Sequence, residues 1–368
     1  MEGMLSEMPN VPARRGMIVN QGGQFGLAGE CGQPGCTESP GDCCIRPTLW
    51  YASAAGLIMT RDDSNGFCTS YEDGNNPNQF PNPGPVDWAG GWEFKLGRRF
   101  CCGLWAAEAT YWELDTMDGS TVFTIPGGAV STPLVVSDIE FDGVNGTMLF
   151  DGADQHRVWR KSNVRNYELN LVRARLNEAA CSPIDLSALL GVRYFRFDDD
   201  LTFGSLQSGG FWGGDGTDEA YLHEGTENHL VGVQIGADAG YRLARNLRVS
   251  LAPKLGIYNN HSKSRFDLYR GDGVVANPTA ASGMVGSYPV LASDDSFSFL
   301  GQIDVGVDWE FCPNWIAFVG YRLVGATGIA LADNQVPTYV VDIPELARVH
   351  TNGSLIVHGA FAGIKVEF

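Results

Sequence analysis

No apolar run in this 368-residue chain approaches the ~20 residues that a membrane-spanning helix needs, which excludes a helical membrane protein but leaves a β-barrel open. Charge is sparse and lopsided, with charged residues at 18% and Lys+Arg 25 against Asp+Glu 43. A net charge of -18 repels polyanions, so no nucleic-acid partner is expected, whereas cations and neutral small solutes are tolerated. The nine cysteines contain no CxxC pair, which removes support for a zinc module; no metal and no cofactor is expected. The first 24 residues show no basic stretch leading into an apolar segment, so a secretory signal is expected to be missing or already removed.

What the chain does have is Gly 47 and 11% aromatics, a composition suited to strands and turns. Residues 1–47 are rich in Cys, Pro and Gly and lack periodicity, so they read as a periplasmic tail or a small cross-linked cap. Residues 48–368 hold ten runs of strand length, near 49–60, 89–99, 103–115, 164–176, 185–198, 229–243, 246–259, 297–311, 314–326 and 355–368. These exceed the typical ~5–6 residues of soluble strands and match the ~9–11 that a tilted strand needs to cross a bilayer. Val231, Val233, Ile235, Ala237, Ala239 and Tyr241 alternate with Gly232, Gln234, Gly236, Asp238 and Gly240 in strict period two. In 297–311 the apolar set Phe297, Phe299, Ile303, Val305, Val307, Trp309 and Phe311 ends in aromatics, as a lipid-facing strand does.

The connections alternate too. Short links at 97–102, 177–183, 243–246 and 312–314 separate long ones near 61–88, 116–163, 199–228, 260–296 and 327–354. Short periplasmic turns and long external loops are the asymmetry of bacterial outer-membrane barrels. The expected fold is therefore all-β, a ten-stranded antiparallel up-and-down transmembrane barrel in the bacterial outer membrane. A twelve-stranded variant, with Thr121–Ile125 and Leu134–Phe141 as an extra pair or as a hairpin above the membrane, stays open, as does a soluble sandwich. The last strand carries Ala360, Ala362, Ile364 and Val366 on one face and ends on Phe368. Ile364, Val366 and Phe368 thus form a candidate signal for the barrel assembly machinery, a partner expected beside outer-membrane lipid.

The stretches NYELNLVRARL, LLGVRYFRFDDDLTF, NHLVGVQIGADAGYRL, KLGIYNN, SFLGQIDVGVDWEFCPNWIAFVGYRLVGATGIALADNQVP and GAFAGIKVEF resemble the β-barrel porin family 7 of planctomycete-like bacteria. The likeness runs from about Asn166 to Phe368, with a looser fit from Leu49 to Leu114. It implies an outer-membrane barrel and says little about cargo.

With apolar faces toward lipid, the lumen receives Glu93, Lys95, Glu108, Glu168, Arg193, Gln234, Asp238, Arg242, Arg248, Lys254, Gln302, Asp304, Asp308, Glu310, Arg322, Lys365 and Glu367. Acids and bases nearly balance there, whereas a selective constriction favours one sign. Ten strands also lie near the size at which side chains fill the interior. The functional expectation is a porin-like passive channel for small solutes or cations. A non-conducting structural or adhesive surface barrel is the alternative. The acidic excess falls mostly in the long loops, either as a cation-attracting vestibule or as a solvating surface.

Asp198, Asp199 and Asp200 form a triplet that could meet Ca²⁺, without a calcium-loop pattern around it. His223, His229 and His261 fall near strand tops, at heights similar to Asp199, Asp200 and Asp267, where a His beside an acid can activate water. No spacing among them is diagnostic, so no enzyme and no catalytic residue is expected. Cys101, Cys102, Cys181 and Cys312 sit in short turns, on the same side as Cys31, Cys36, Cys43 and Cys44 of the tail, so a disulfide cluster at that rim is expected; Cys68 falls in an external loop.

Overall fold

The structure, a computed structural model, describes residues 17–20, 24–27, 50–62, 67–72, 79–82, 86–174, 176, 183–214 and 216–368. Ten antiparallel strands close into one barrel. In chain order they are β1 (Trp50–Arg61), β2 (Ala89–Phe100), β3 (Trp105–Thr124), β4 (Gln155–Arg173) and β5 (Ile184–Leu206), followed by β6 (Glu219–Ala244), β7 (Leu247–Arg270), β8 (Val290–Cys312), β9 (Trp315–Ile329) and β10 (Gly353–Glu367). Each pairs with its chain neighbours, and β10 closes on β1 in a register that sets Glu367 opposite Tyr51 and Val357 opposite Arg61. At this seam Trp50 N–H donates to the Phe368 carbonyl at 2.7 Å and Phe368 N–H returns to Trp50 at 2.9 Å. Over the part where all ten strands are present closure leaves no backbone edge unpaired, the condition for strands to cross hydrocarbon.

Burial along the strands is inverted relative to a soluble sandwich. Val231, Val233 and Ile235 are 59%, 58% and 63% exposed, while Gln234 between them is 2% exposed. Apolar side chains therefore face out and polar ones in, as expected when lipid is the outer solvent. The band ends in an aromatic row: Trp92, Tyr111, Tyr167 and Tyr194 stand on adjacent strands with successive ring centroids 4.8, 4.4 and 5.9 Å apart. One outward position beyond that row the face turns charged, with Glu113, Arg165, Arg196 and His229. Trp50, Phe100, Trp309, Phe311, Trp315 and Phe368, all exposed, mark the opposite rim, where the short turns and both ends of the barrel chain lie.

Strand length divides the barrel. β1, β2, β9 and β10 have 12 to 15 residues, whereas β3 to β8 have 19 to 26 and continue well past the aromatic row. The six long strands form a wall outside the membrane, and residues 125–154, 271–289 and 330–352 fold against its inner side with three short helices, α1 (Thr147–Phe150), α2 (Ala332–Gln335) and α3 (Ile343–Leu346). Phe123, Ile139, Phe141, Phe150, Leu201, Phe203, Leu222, Phe266, Val340 and Leu346 make a core inside this cup. Much of what reads as long loop in the sequence is therefore strand.

The twelve-stranded variant is corrected. Thr121–Thr124 prolongs β3 against β4, and Ile139–Phe141 pairs with Val144–Asn145 and Asn277–Pro278 in a small separate sheet. Phe123, Leu134, Val136, Ile139 and Phe141 of these segments fill the cup rather than face lipid, while Val122 and Val135 are exposed. In the N-terminal region Met17–Asn20 pairs antiparallel with Gln24–Leu27; the rest of 1–47 lies outside the described residues.

Candidate functional site

The inner face of β5 reads the lumen as a series of layers. From the short-turn rim outward it presents Asp185, Ser187, Leu189, Gly191, Arg193, Phe195, Phe197, Asp199, Leu201, Phe203 and Ser205. Polar groups occupy the membrane part, then an apolar layer follows, then an ionic layer, then the apolar cup.

Within the membrane most of the polar residues are paired, although the Thr110 hydroxyl and both Nη atoms of Arg193 have no hydrogen-bond partner among the described residues. Glu168 accepts from Lys254 Nζ at 2.8 Å, from Asn166 and Asn170 at 3.1 Å each and from Gln234 at 2.8 Å, with Arg193 Nε 3.8 Å away. Arg322 grips both oxygens of Asp304 at 2.9 and 2.8 Å and reaches Glu93 at 2.5 Å, while Gln302 adds two bonds to Asp304 at 3.0 Å. Glu108 takes the Tyr51 hydroxyl at 2.9 Å and lies 3.5 Å from Lys95. Nearer the rim, Arg248 joins Asp308 at 2.9 Å and also meets Asp238, and Arg242 holds Asp185 at 2.6 Å. Glu367 takes Arg99 at 2.7 Å and Lys365 at 3.6 Å; Glu310 is half-buried on the same inner face. Fully surrounded charges of this kind hold one another in place, because removing any partner leaves a costly unpaired ion.

Above these, Trp112, Phe195, Phe197, Leu230, Tyr258, Leu300 and Leu331 close the section with apolar side chains. An ionic clasp follows. Asp199 accepts from Arg61 at 2.9 Å, from Arg160 at 2.9 and 2.5 Å and from the Ala332 N–H at 3.1 Å; Arg160 also reaches Asp333 at 3.1 Å. Burial works against the Asp199 carboxylate, but the Arg160 and Arg61 guanidinium groups outweigh it and hold its pKa well below the usual range. Asn228 completes the clasp by bonding both the carbonyl and the N–H of Ala330 at 2.7 Å. The last external connection is thus tied into the barrel mouth by its backbone.

Among the titratable groups of the cup, His156 and Glu224 are buried with opposite shifts. Burial pushes the His156 imidazole down to about 4. Its Nε2–H donates to the Phe150 carbonyl at 3.0 Å, so Nδ1 accepts from Ser70 at 2.9 Å, linking two loops. Burial pushes Glu224 up to about 8, opposed by the Ser264 hydroxyl it accepts at 2.6 Å.

The triplet reading is corrected. Because strand side chains alternate, Asp198 and Asp200 face outward while Asp199 faces the clasp, and among the described residues no group of His, Cys, Asp and Glu could hold a metal. Of the histidine candidates, His229 and His261 stand directly opposite each other on β6 and β7, His229 pairing with Glu227 at 3.2 Å and His261 with Asp295 at 3.1 Å, while His223 lies apart, 3.6 Å from both Asp200 and Asp267, all on the outer wall. Cys101 and Cys312 are exposed free thiols on the same rim as Trp50, and Cys68 is a free thiol in an external segment. Cys31, Cys36, Cys43, Cys44 and Cys181 lie outside the described residues, as does the side chain of Cys102.

Sequence reading missed Arg99, Asp185, Asn166 and Asn170 as inward groups. Arg99 follows Arg98, which lies over Trp50 on the outer face, and in such a doublet composition alone does not say which one turns in.

A closed barrel with an apolar outer band, aromatic rows and a polar interior defines the chain as a bacterial outer-membrane β-barrel. Residues 150–358 match the family described as "Putative beta barrel porin-7 (BBP7)", more than half of the chain, and the chain belongs to that family. Among solved structures it is similar to the outer membrane protease OmpT from Escherichia coli, at 14% identity over 89% of this chain and 98% of that one, with TM-score 0.43. A major outer membrane protein from Thermus thermophilus matches at 10% identity over 87% of this chain and 99% of its own, with TM-score 0.32. The outer membrane protein OprG from Pseudomonas aeruginosa matches at 10% identity, over 87% and 95%, with TM-score 0.28. No curated protein matches the sequence.

Proposed function

We propose that this chain is a non-conducting surface barrel, a membrane anchor whose filled lumen carries a folded external cup. The observation behind this reading is the inner face of β5, where Arg193 is 2% exposed and Phe195, Phe197, Asp199, Leu201 and Phe203 are 0% exposed. A passive channel for small solutes or cations needs a continuous wet path, and the residues lining such a path would be exposed. Acidic loops then serve to solvate the cup rather than to feed a pore. On this reading Ile364, Val366 and Phe368, all on the lipid side of β10, form the segment presented to the barrel assembly machinery, and residues 1–47 lie at the periplasmic rim.

Swelling of proteoliposomes in iso-osmotic arabinose and in sodium chloride tests the reading. Liposomes holding the refolded chain are expected to swell no faster than empty ones. Swelling at the rate of a refolded open porin would overturn the proposal.

A further inference from the structure

The outer wall of the cup carries a concave site used by neither the lumen nor the clasp. Outward positions of adjacent strands line up there: Trp159 of β4, Thr202 of β5 and His223 of β6 share one row, Tyr221 and Tyr269 the next, and Lys161 and Asp200 the row on the other side. Together they enclose a cleft of about 410 Å³, within the ~300–1,000 Å³ of small-molecule sites. Gly204 lets the aromatic side close. A Cβ at that position would lie 2.8 Å from the Trp159 and Trp212 rings and 3.1 Å from Tyr221. With none there, Trp159 and Trp212 meet edge to face at 5.2 Å, and Tyr221 stacks on Tyr269 at 5.4 Å.

The polar side of the cleft has unused hydrogen-bonding capacity. The Asp200 side chain is 42% exposed, and His223 Nε2 stands 3.6 Å away. Lys161 is exposed and forms no ion pair among the described residues. Asp267 is different, being held by Arg265 at 2.7 and 3.0 Å, and the Tyr221 hydroxyl is already given to Glu219 at 2.7 Å. Tyr221 therefore offers its ring and Asp200 its carboxylate.

We propose that this cleft binds a pyranose ring of a glycan outside the cell. A pyranose has C–H bonds on one face and hydroxyls around its edge. The negative face of an aromatic ring attracts the C–H groups, while Asp200 accepts from hydroxyls and Lys161 donates to them. The juxtaposition of these two charges selects a neutral ligand, since Lys161 repels an organic cation and Asp200 repels an anion. Height fits as well. Lys161 stands six residues beyond Tyr167 of the aromatic row, about 20 Å further along the strand, which places the cleft clear of the lipid headgroups. The site stands independently of whether the lumen conducts.

Saturation-transfer NMR on the full chain, refolded in an oligo-oxyethylene detergent free of sugar and choline, tests this. The probes are methyl glucoside, methyl galactoside, methyl mannoside, N-acetylglucosamine and, as a cation, choline chloride. At least one pyranose is expected to receive saturation on its ring C–H protons. Trp159→Ala and Asp200→Asn should each weaken binding at least tenfold, and His261→Ala, elsewhere on the wall, should leave it unchanged. Heat-modifiable gel migration checks that each variant is folded; should Trp159→Ala fail, the near-isosteric Asp200→Asn decides. No transfer to any pyranose, transfer insensitive to Asp200→Asn, or binding of choline alone would overturn the proposal.

Discussion

Arg160 holds both carboxylate oxygens of Asp199, at 2.9 and 2.5 Å, while Asp199 accepts the backbone N–H of Ala332 at 3.1 Å. One strand-borne carboxylate thereby fastens the last external connection into the mouth of the barrel.

Asp199→Ala would leave Arg61 and Arg160 buried without their shared anion, a loss of about 3–5 kcal/mol. The backbone amides of Ala330 and Ala332 should then exchange with solvent far faster, while those of the membrane belt stay protected. Because the Asp199 pKa is depressed on folding, its contribution is complete above the ordinary carboxylate pKa of ~3.9 and is lost only as pH falls below that value. The clasp should therefore hold at pH 5.

The cup should have a pH optimum set by two groups with opposite signs. His156 drops from 6.5 to about 4 on folding, so the unfolded chain binds the extra proton and stability falls as pH is lowered from 6.5 toward 4. Glu224 rises from 4.5 to about 8, so the folded cup binds the extra proton and stability falls as pH is raised from 4.5 toward 8. Glu224→Gln should flatten the alkaline limb, an effect on the order of a few kcal/mol. Hydrogen exchange of the β5 and β6 amides beyond the aromatic row reads both limbs.

Arg322 bridges Asp304 and Glu93 across the lumen. Arg322→Met should lower the temperature at which the folded band is lost on gels, because two buried carboxylates lose their cation, at about 3–5 kcal/mol. Replacing all three by apolar residues, with Glu93→Leu and Asp304→Leu added, should recover most of that loss.

Gly191 faces the lumen where a Cβ would lie 2.0 Å from Asn170 Oδ1 and 2.6 Å from the Leu169 carbonyl. Gly191→Ala must displace Asn170 from Glu168, so a loss of about 1–3 kcal/mol is expected in the same gel assay.

The ten crossings were legible because lipid outside and paired charges inside impose period two, as in Val231–Tyr241. The cup was not. Beyond the aromatic row both strand faces carry polar residues, so Trp159, Lys161, Asn163 and Arg165 outside and Arg160 and Ser162 inside leave no apolar alternation. The clasp residues were hidden for a related reason. Asp199 sits in an acidic triplet whose members separate only when the strand is known to continue, and its partners Arg61 and Asp333 lie at distances in sequence that no motif records.

The rim thiols offer a separate test. Cys101 and Cys312 lie at the rim where the chain enters β1 at Trp50, so envelope-derived protein is expected to show at least one disulfide from residues 31–44 to Cys101, Cys102, Cys181 or Cys312. Mass spectrometry finding all of these reduced would contradict it.

Single-channel recording in planar bilayers bears most directly on the filled lumen. The refolded chain is expected to give no reproducible conductance steps, whereas the same chain carrying Arg322→Ala and Asp199→Ala, with residues 330–352 replaced by a short Gly/Ser turn, should give them. Stable steps from the unaltered chain would contradict the account.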